Sequence, residues 1–139
     1  MYQYTEFDRQ FIRSRAAQYR DQLERNLAGT LGDEEFKPLR LQNGWYVQRY
    51  APMLRVAVPY GELSSLQLRT LARVARDYDW PDAALLANAQ ATQDKLGPIP
   101  LHDGRVIGSR LTYGYGHFTT RTNVQFNWIP LVKSAEVME

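Results

Sequence analysis

Cysteine is absent from this chain of 139 residues. That excludes disulfides, a cysteine nucleophile and any iron–sulfur cluster held by the chain's own thiolates. Histidine is almost absent: His102 and His117 are the two present. No carboxylates are spaced around them as metal ligands, so no metal site is expected. Lysine is scarce, with only Lys37, Lys95 and Lys133. The positive charge is therefore carried by arginine, whose planar fork suits two-point contacts with carboxylate or phosphate. No apolar run reaches the length of a membrane span. The opening Met1-Tyr2-Gln3-Tyr4-Thr5-Glu6 lacks the basic-then-apolar layout of a signal peptide. No membrane association and a cytoplasmic location are the expectations. A Walker loop, a dinucleotide fingerprint, zinc spacing and a nucleophile elbow are all missing too.

What is present argues for a globular chain. Hydrophobic residues make up 44%, with three Trp, nine Tyr and five Phe, too many large apolar groups for a disordered segment. The length fits one domain, or one domain with an appendage.

The most informative stretch is residues 116–128. It holds no internal Gly or Pro, is rich in Thr, Phe, Val and Trp, and reads as one long strand. Successive side chains of a strand point to opposite faces. His117, Thr119, Arg121, Asn123, Gln125 and Asn127 fall on one face. Phe118, Thr120, Thr122, Val124, Phe126 and Trp128 fall on the other. The first face has no Lys or Glu, the usual occupants of a solvated face. Its Thr, Asn, Gln, His and Arg suit fixed hydrogen bonds to a bound anion or polar ligand.

Upstream, apolar residues Phe7, Phe11, Ile12, Ala16, Tyr19, Leu23 and Leu27 recur at helical spacing over residues 6–28. Thr5 is the expected N-cap, with Asp8 in the capping-box position, and Gly29 the stop. Residues 32–38 read as a short helical turn closed by Pro38. Asn43-Gly44 is a turn signal. A long extended segment follows from Trp45 to Val58, broken or edged at Pro52. In its second half Leu54, Val56 and Val58 share one face, and Met53, Arg55 and Ala57 the other. Arg55 thus sits between two uncharged neighbours, either covering apolar surface with its stem or binding an anion.

Pro59-Tyr60-Gly61 turns the chain. Ser64 or Ser65 caps a helix to about residue 78, with Leu66, Leu68, Leu71, Ala72, Val74 and Ala75 on its buried side. Arg73 and Asp77 are placed for an i, i+4 pair. Strand, turn, helix and strand make a β-α-β unit, right-handed if the strands are parallel. Residues 82–94 read as an Ala-rich helix started by Pro81. Asp103-Gly104 suggests a small hairpin, and His102 is a surface residue of its loop. Nucleic-acid binding is not expected. The aromatics of residues 116–128 lie opposite Arg121, whereas a single-strand binder presents both on one face.

Four runs carry a resemblance. The sequence Gly114-Tyr115-Gly116-His117-Phe118-Thr119-Thr120-Arg121-Thr122-Asn123-Val124-Gln125-Phe126-Asn127-Trp128 resembles the siroheme-contacting strand of the sulfite and nitrite reductase hemoproteins. Leu39-Arg40-Leu41-Gln42-Asn43-Gly44 and Met53-Leu54-Arg55-Val56-Ala57-Val58-Pro59-Tyr60-Gly61 resemble the same family's N-terminal, ferredoxin-like half domain, as does the opening octet. The similarity covers residues 1–79 and 113–128. Thr-Thr-Arg followed by Gln-Phe-Asn-Trp at this spacing is an uncommon pattern.

The resemblance implies roles. Arg55 corresponds to an arginine over the distal face of siroheme that helps bind the sulfite or nitrite anion. His117, Thr119, Arg121, Asn123, Gln125 and Asn127 fall on the strand that contacts the macrocycle and its carboxylates. His117 stands where some members carry another arginine. The family's [4Fe-4S] cluster is held by four cysteines in other segments, so this chain ligates none. The implied organisation is an N-terminal helical arm, residues 1–40, and a half domain, residues 41–139, with an insertion at about 80–112. The implied fold is α+β: a ferredoxin-like β-α-β-β half domain preceded by an amphipathic helix.

The expected function is that of an N-terminal half-domain fragment or split subunit of a siroheme-dependent reductase. Such a piece is not catalytic alone, and its partners are the remaining reductase segments or a second copy. The alternative is a non-catalytic dimeric binding protein for a tetrapyrrole or another anion.

Overall fold

The computed structural model describes residues 3–48, 52–84, 87, 99–100, 106–107 and 116–139. The expected 82–94 helix lies mostly outside the described residues. The loop with His102 and the Asp103-Gly104 turn, and residues 113–115, lie outside them entirely.

Helix α1 spans Glu6–Leu27. Thr5 caps it: its hydroxyl accepts from the Asp8 N–H while the Asp8 carboxylate accepts from the Thr5 N–H at 2.7 Å. Two otherwise unpaired donors of the first turn are satisfied in this way. The apolar stripe is buried only in its second half, at Ala16, Tyr19 and Leu23; Phe7, Phe11, Ile12 and Leu27 are exposed. Gly29, at φ +76°, ends the helix.

Helix α2 spans Asp33–Gln42 and contains Pro38, which does not close it as the sequence suggests. Pro38 removes one N–H from the ladder and crowds the carbonyl four residues back. It lies on the exposed side, where that carbonyl can turn to water. Phe36 anchors the helix from below, its ring 6.0 Å from that of Tyr19.

The extended segment from Trp45 is two strands rather than one. Strand β1 (Trp45–Val47) and strand β2 (Pro52–Ala57) pair antiparallel, Trp45 opposite Leu54. After β2 a 3-10 turn at Pro59–Gly61 leads to helix α3, Ser65–Asp77, capped by Ser64 with Gln67 in a capping box. Strands β3 (Ile99–Pro100) and β4 (Val106–Ile107) pair antiparallel, as the Asp-Gly signal between them suggests.

The stretch read as one long strand is a hairpin: β5 (Gly116–Thr119) and β6 (Asn123–Phe126), turning through residues 120–122. No Gly or Pro marks the turn, because Thr122 itself takes the left-handed conformation at φ +52°. One bond from the end of β2 and one within the turn hold it there: Val58 N–H donates to the Thr122 carbonyl at 2.9 Å, and Arg121 N–H to the Thr119 hydroxyl at 3.2 Å. After β6, a 3-10 turn at Leu131–Lys133 precedes helix α4, Ser134–Met138.

The protein is thus α+β, with an N-terminal helix, four helices among the described residues and a four-stranded sheet ordered β1-β2-β6-β5. Every neighbouring pair in that sheet is antiparallel, β2 and β6 included. The crossover rule for parallel strands therefore does not apply between β2 and β6.

The core forms where α1, α2 and α4 meet one face of the sheet, around Tyr19, Phe36, Trp45, Leu54, Phe126 and Ile129. Helix α3 sits shallowly. None of its residues is buried, and Leu66, Leu68 and Ala72, expected inside, are exposed. Asp77 pairs with Arg76 at 2.7 and 3.0 Å rather than with Arg73. That pairing holds its carboxyl below the ordinary range.

Tyr19 and Ser134 join α1 to α4 through a buried hydroxyl–hydroxyl bond of 2.9 Å. Burial pushes the Tyr19 phenol up to about 12, against the smaller opposing effects of Ser134 and Arg40. The unfolded chain releases this proton near its ordinary value of about 10, and the folded chain keeps it. Stability from this group is therefore complete below about pH 10 and is lost as pH rises toward 12. Urea titrations across that window should show a loss of about 2–3 kcal/mol, and Tyr19→Phe should remove most of that slope. An unchanged slope in the variant would assign the alkaline loss to other groups.

Candidate functional site

The hairpin keeps the alternation read from sequence, because its loop has an odd number of residues. Gln125 stands opposite His117, and Asn123 opposite Thr119. On the other side of β6, Gln125 stands opposite Arg55, and Asn123 opposite Ala57. Directly opposed residues of antiparallel strands share a face. Two rows therefore cross three strands on one face: Arg55–Gln125–His117, and Ala57–Asn123–Thr119. The facing side of the same strands carries Leu54, Val56, Val124 and Phe126, which belong to the core.

The rows differ in exposure. Arg55 and His117 are exposed, Gln125 and Thr119 half-buried, and Asn123 buried. Asn123 is committed locally. Its amide donates to the Arg121 carbonyl at 3.2 Å, and its side-chain oxygen accepts from Gln125 Nε2 at 3.3 Å. It therefore braces the face, leaving contact with a ligand to its neighbours. Asn127 Nδ2 lies 3.5 Å from His117 Nδ1, and the amide donates there in the tautomer whose Nδ1 carries no proton. Arg121 is not on a strand: it is exposed in the hairpin turn, beyond the end of the second row.

Sequence reasoning missed Tyr46. It pairs with Met53 and so shares the face of Arg55, and the Arg55 guanidinium carbon lies 4.9 Å from its ring centroid. This cation–π contact holds the guanidinium beside the sheet. Alternation in Trp45-Tyr46-Val47 was the available signal; reading one long strand hid it. Met53, on the same face, is buried.

A cleft of about 760 Å³ lies between α3, the end of α2, α4 and the strands β2 and β6. Leu41, Val56, Leu71, Val74 and Met138 line it, and it meets the polar face at Arg55, Arg121 and Asn123. No three His, Asp or Glu side chains come together as a metal site among the described residues. No helix among them is long and apolar enough to cross a membrane.

This arrangement supplies Arg55, an imidazole and the Gln125 and Asn127 amides along one sheet face, with Arg121 in the turn at its edge. Such a set can hold a flat ligand bearing several anionic groups, but it offers no nucleophile with a base beside it. Comparison with protein-family models, curated proteins and solved structures gives no match to the chain.

Proposed function

We propose that this chain is the N-terminal, ferredoxin-like half domain of a siroheme-dependent sulfite or nitrite reductase, working with further segments that complete the enzyme. The observation that carries the reading is the row Arg55–Gln125–His117. Its members come from two runs of sequence that resemble the same family, and the strand register sets them side by side on one face.

The residues fit the macrocycle's rim. Siroheme carries carboxylates around its edge, and these need fixed cations and donors. Arg55 and Arg121 are exposed cations, and His117, Gln125 and Asn127 add donors between and beyond them. Siroheme supplies the iron at which the anion is reduced. This chain's part is to bind and orient. Arg121, His117, Gln125 and Asn127 hold carboxylates, and Arg55 places positive charge beside the sulfite or nitrite oxygens. The residues do not fit the family's [4Fe-4S] cluster, because the chain has no cysteine. Electron delivery therefore belongs to other segments.

Adding siroheme and following its visible spectrum tests this reading. The wild type should shift the spectrum and saturate. Loss of one charge-assisted bond is worth about 1.5–3 kcal/mol, so Arg121→Ala and Arg55→Ala should each weaken binding roughly 10- to 100-fold. Arg69→Ala, on α3 away from this face, should bind as wild type does. Absence of any spectral shift with the wild type would sink the proposal.

A further inference from the structure

The cleft beside the polar face has a lining that the face itself does not explain. Its walls are apolar, formed by Leu41, Val56, Leu71, Val74 and Met138. Its charged lining residues are Arg55 and Arg121, and no Asp or Glu lines it among the described residues. Neither arginine is in an ion pair among those residues. Glu139, next to Met138 in the chain, is taken by Arg20 on α1. The bond from the Val58 N–H to the Thr122 carbonyl brings Arg121 to the end of β2 that follows Arg55. The two cations therefore flank the same end of that strand.

The backbone adds a third donor. Successive residues of an antiparallel strand send their N–H and C=O groups to opposite neighbours. Arg55 N–H donates to the Gly44 carbonyl on the β1 side, and Val58 N–H to Thr122 on the β6 side. Ala57 therefore directs its N–H to the β1 side. There β1 has run out, because its first residue, Trp45, already pairs with Leu54. Ala57 lines the cleft, and its N–H has no partner among the described residues.

We propose that this cleft binds a single-chain amphipathic carboxylate, a fatty-acid-like ligand. Its apolar chain lies along the cleft walls, and its carboxylate takes Arg55, Arg121 and the Ala57 N–H. Charge complementarity selects this occupant. A carboxylate offers about four acceptor sites, three donors converge on its place, and no acid of the lining opposes it. The apolar walls require a chain behind that headgroup. A volume of about 760 Å³ falls within the roughly 300–1,000 Å³ of small-ligand pockets. A peptide added as a strand fits less well, because the open edge is a single residue long before the chain turns at Pro59. The proposal does not rest on the siroheme reading. The two ligands share Arg55 and Arg121, but His117, Gln125 and Asn127 do not line the cleft.

Isothermal titration calorimetry of the full chain with decanoate, below its aggregation concentration, tests the proposal. Decanoate should bind saturably. Butyrate, which lacks most of the chain, should bind at least roughly a hundredfold more weakly, since each buried methylene is worth about fourfold. Decanol, which keeps the chain and lacks the charge, should bind about tenfold more weakly. Arg55→Ala and Arg121→Ala should each weaken decanoate roughly three- to tenfold and leave decanol unchanged. In the double variant R55A/R121A the two ligands should bind within about threefold of each other.

Thr70 is an exposed residue of the cleft wall on α3, so filling the cleft from there spares the core. Thr70→Trp should weaken decanoate and decanol alike, at least about tenfold. His117→Ala should bind decanoate as the wild type does. Decanol or butyrate binding as tightly as decanoate, or a wild type with no saturable binding, would overturn the proposal. Siroheme binding without decanoate binding would do so too, and would leave the siroheme reading standing.

Discussion

Gly44→Ala should cost the fold about 4 kcal/mol, a large share of the roughly 5–15 kcal/mol that keeps an ordinary domain folded. Two effects add. Gly44 sits at φ +80°, where an L side chain costs about 1–2 kcal/mol. A Cβ built there would also lie 2.4 Å from the Arg55 carbonyl oxygen. That oxygen cannot retreat. Arg55 N–H donates to the Gly44 carbonyl at 2.9 Å, and β2 is held on its far side by β6. Gly29 is the internal control, at φ +76° with nothing within 4 Å of its Cβ position. Gly29→Ala should cost only about 1 kcal/mol. Urea denaturation of both variants separates dihedral strain from the clash, and equal losses would show that β2 yields. The consequence reaches the candidate site, because the strand pushed aside carries Arg55.

Capping and turn signals in the sequence were accurate, whereas the Pro38 stop and the Arg73–Asp77 pair were not. The Thr5–Asp8 box, a serine cap before α3 (Ser64, of the two serines offered), the Gly29 stop and the turns at Asn43-Gly44 and Pro59-Tyr60-Gly61 all depend on residues within a few positions, and all appear in the structure. What the sequence hid was where strands turn. Residues 120–122 reverse the chain without Gly or Pro, on a threonine held in the left-handed region by bonds from Val58 and within the turn itself. Such a turn is stabilised by tertiary contacts, which no local pattern records. Pro38 misled for a related reason: Phe36, packed on Tyr19, holds α2 together through it.

The face shared by most of the candidate residues was also legible, although the strand length that carried it was not. Alternation assigned the odd-numbered residues to one face, and a three-residue loop preserves parity, so the assignment survived the wrong strand length. Pairing with β2 then brought Arg55 onto the same face. Arg121 left the strand for the turn, and Asn123 proved to be a brace, because neither property follows from parity.

Asp79→Ala is expected to cost about 3 kcal/mol and to disturb the polar face from behind. Asp79 is 0% exposed, just past the end of α3. Its carboxylate accepts the Trp128 N–H at 2.7 Å, and Trp128 is itself buried. A bond to a charged acceptor contributes about 1.5–3 kcal/mol, and removing the acceptor also leaves a donor buried. Asp79→Asn keeps an oxygen for this bond and should lose roughly half as much.

The bond also has a positional role. It ties the chain leaving β6 to the end of α3, one residue after Asn127, whose amide lies beside the His117 ring. Freed from Asp79, Trp128 should let Asn127 move. The His117 imidazole resonances should then shift in Asp79→Ala and stay in place in Asp79→Asn. Denaturation and proton spectra of the pair decide between two accounts. If alanine and asparagine cost the same and leave His117 alike, the carboxylate acts through other contacts and the Trp128 bond is incidental. If they separate in both measurements, α3 is what holds the end of the polar row in register, even though it contributes no buried side chain to the core.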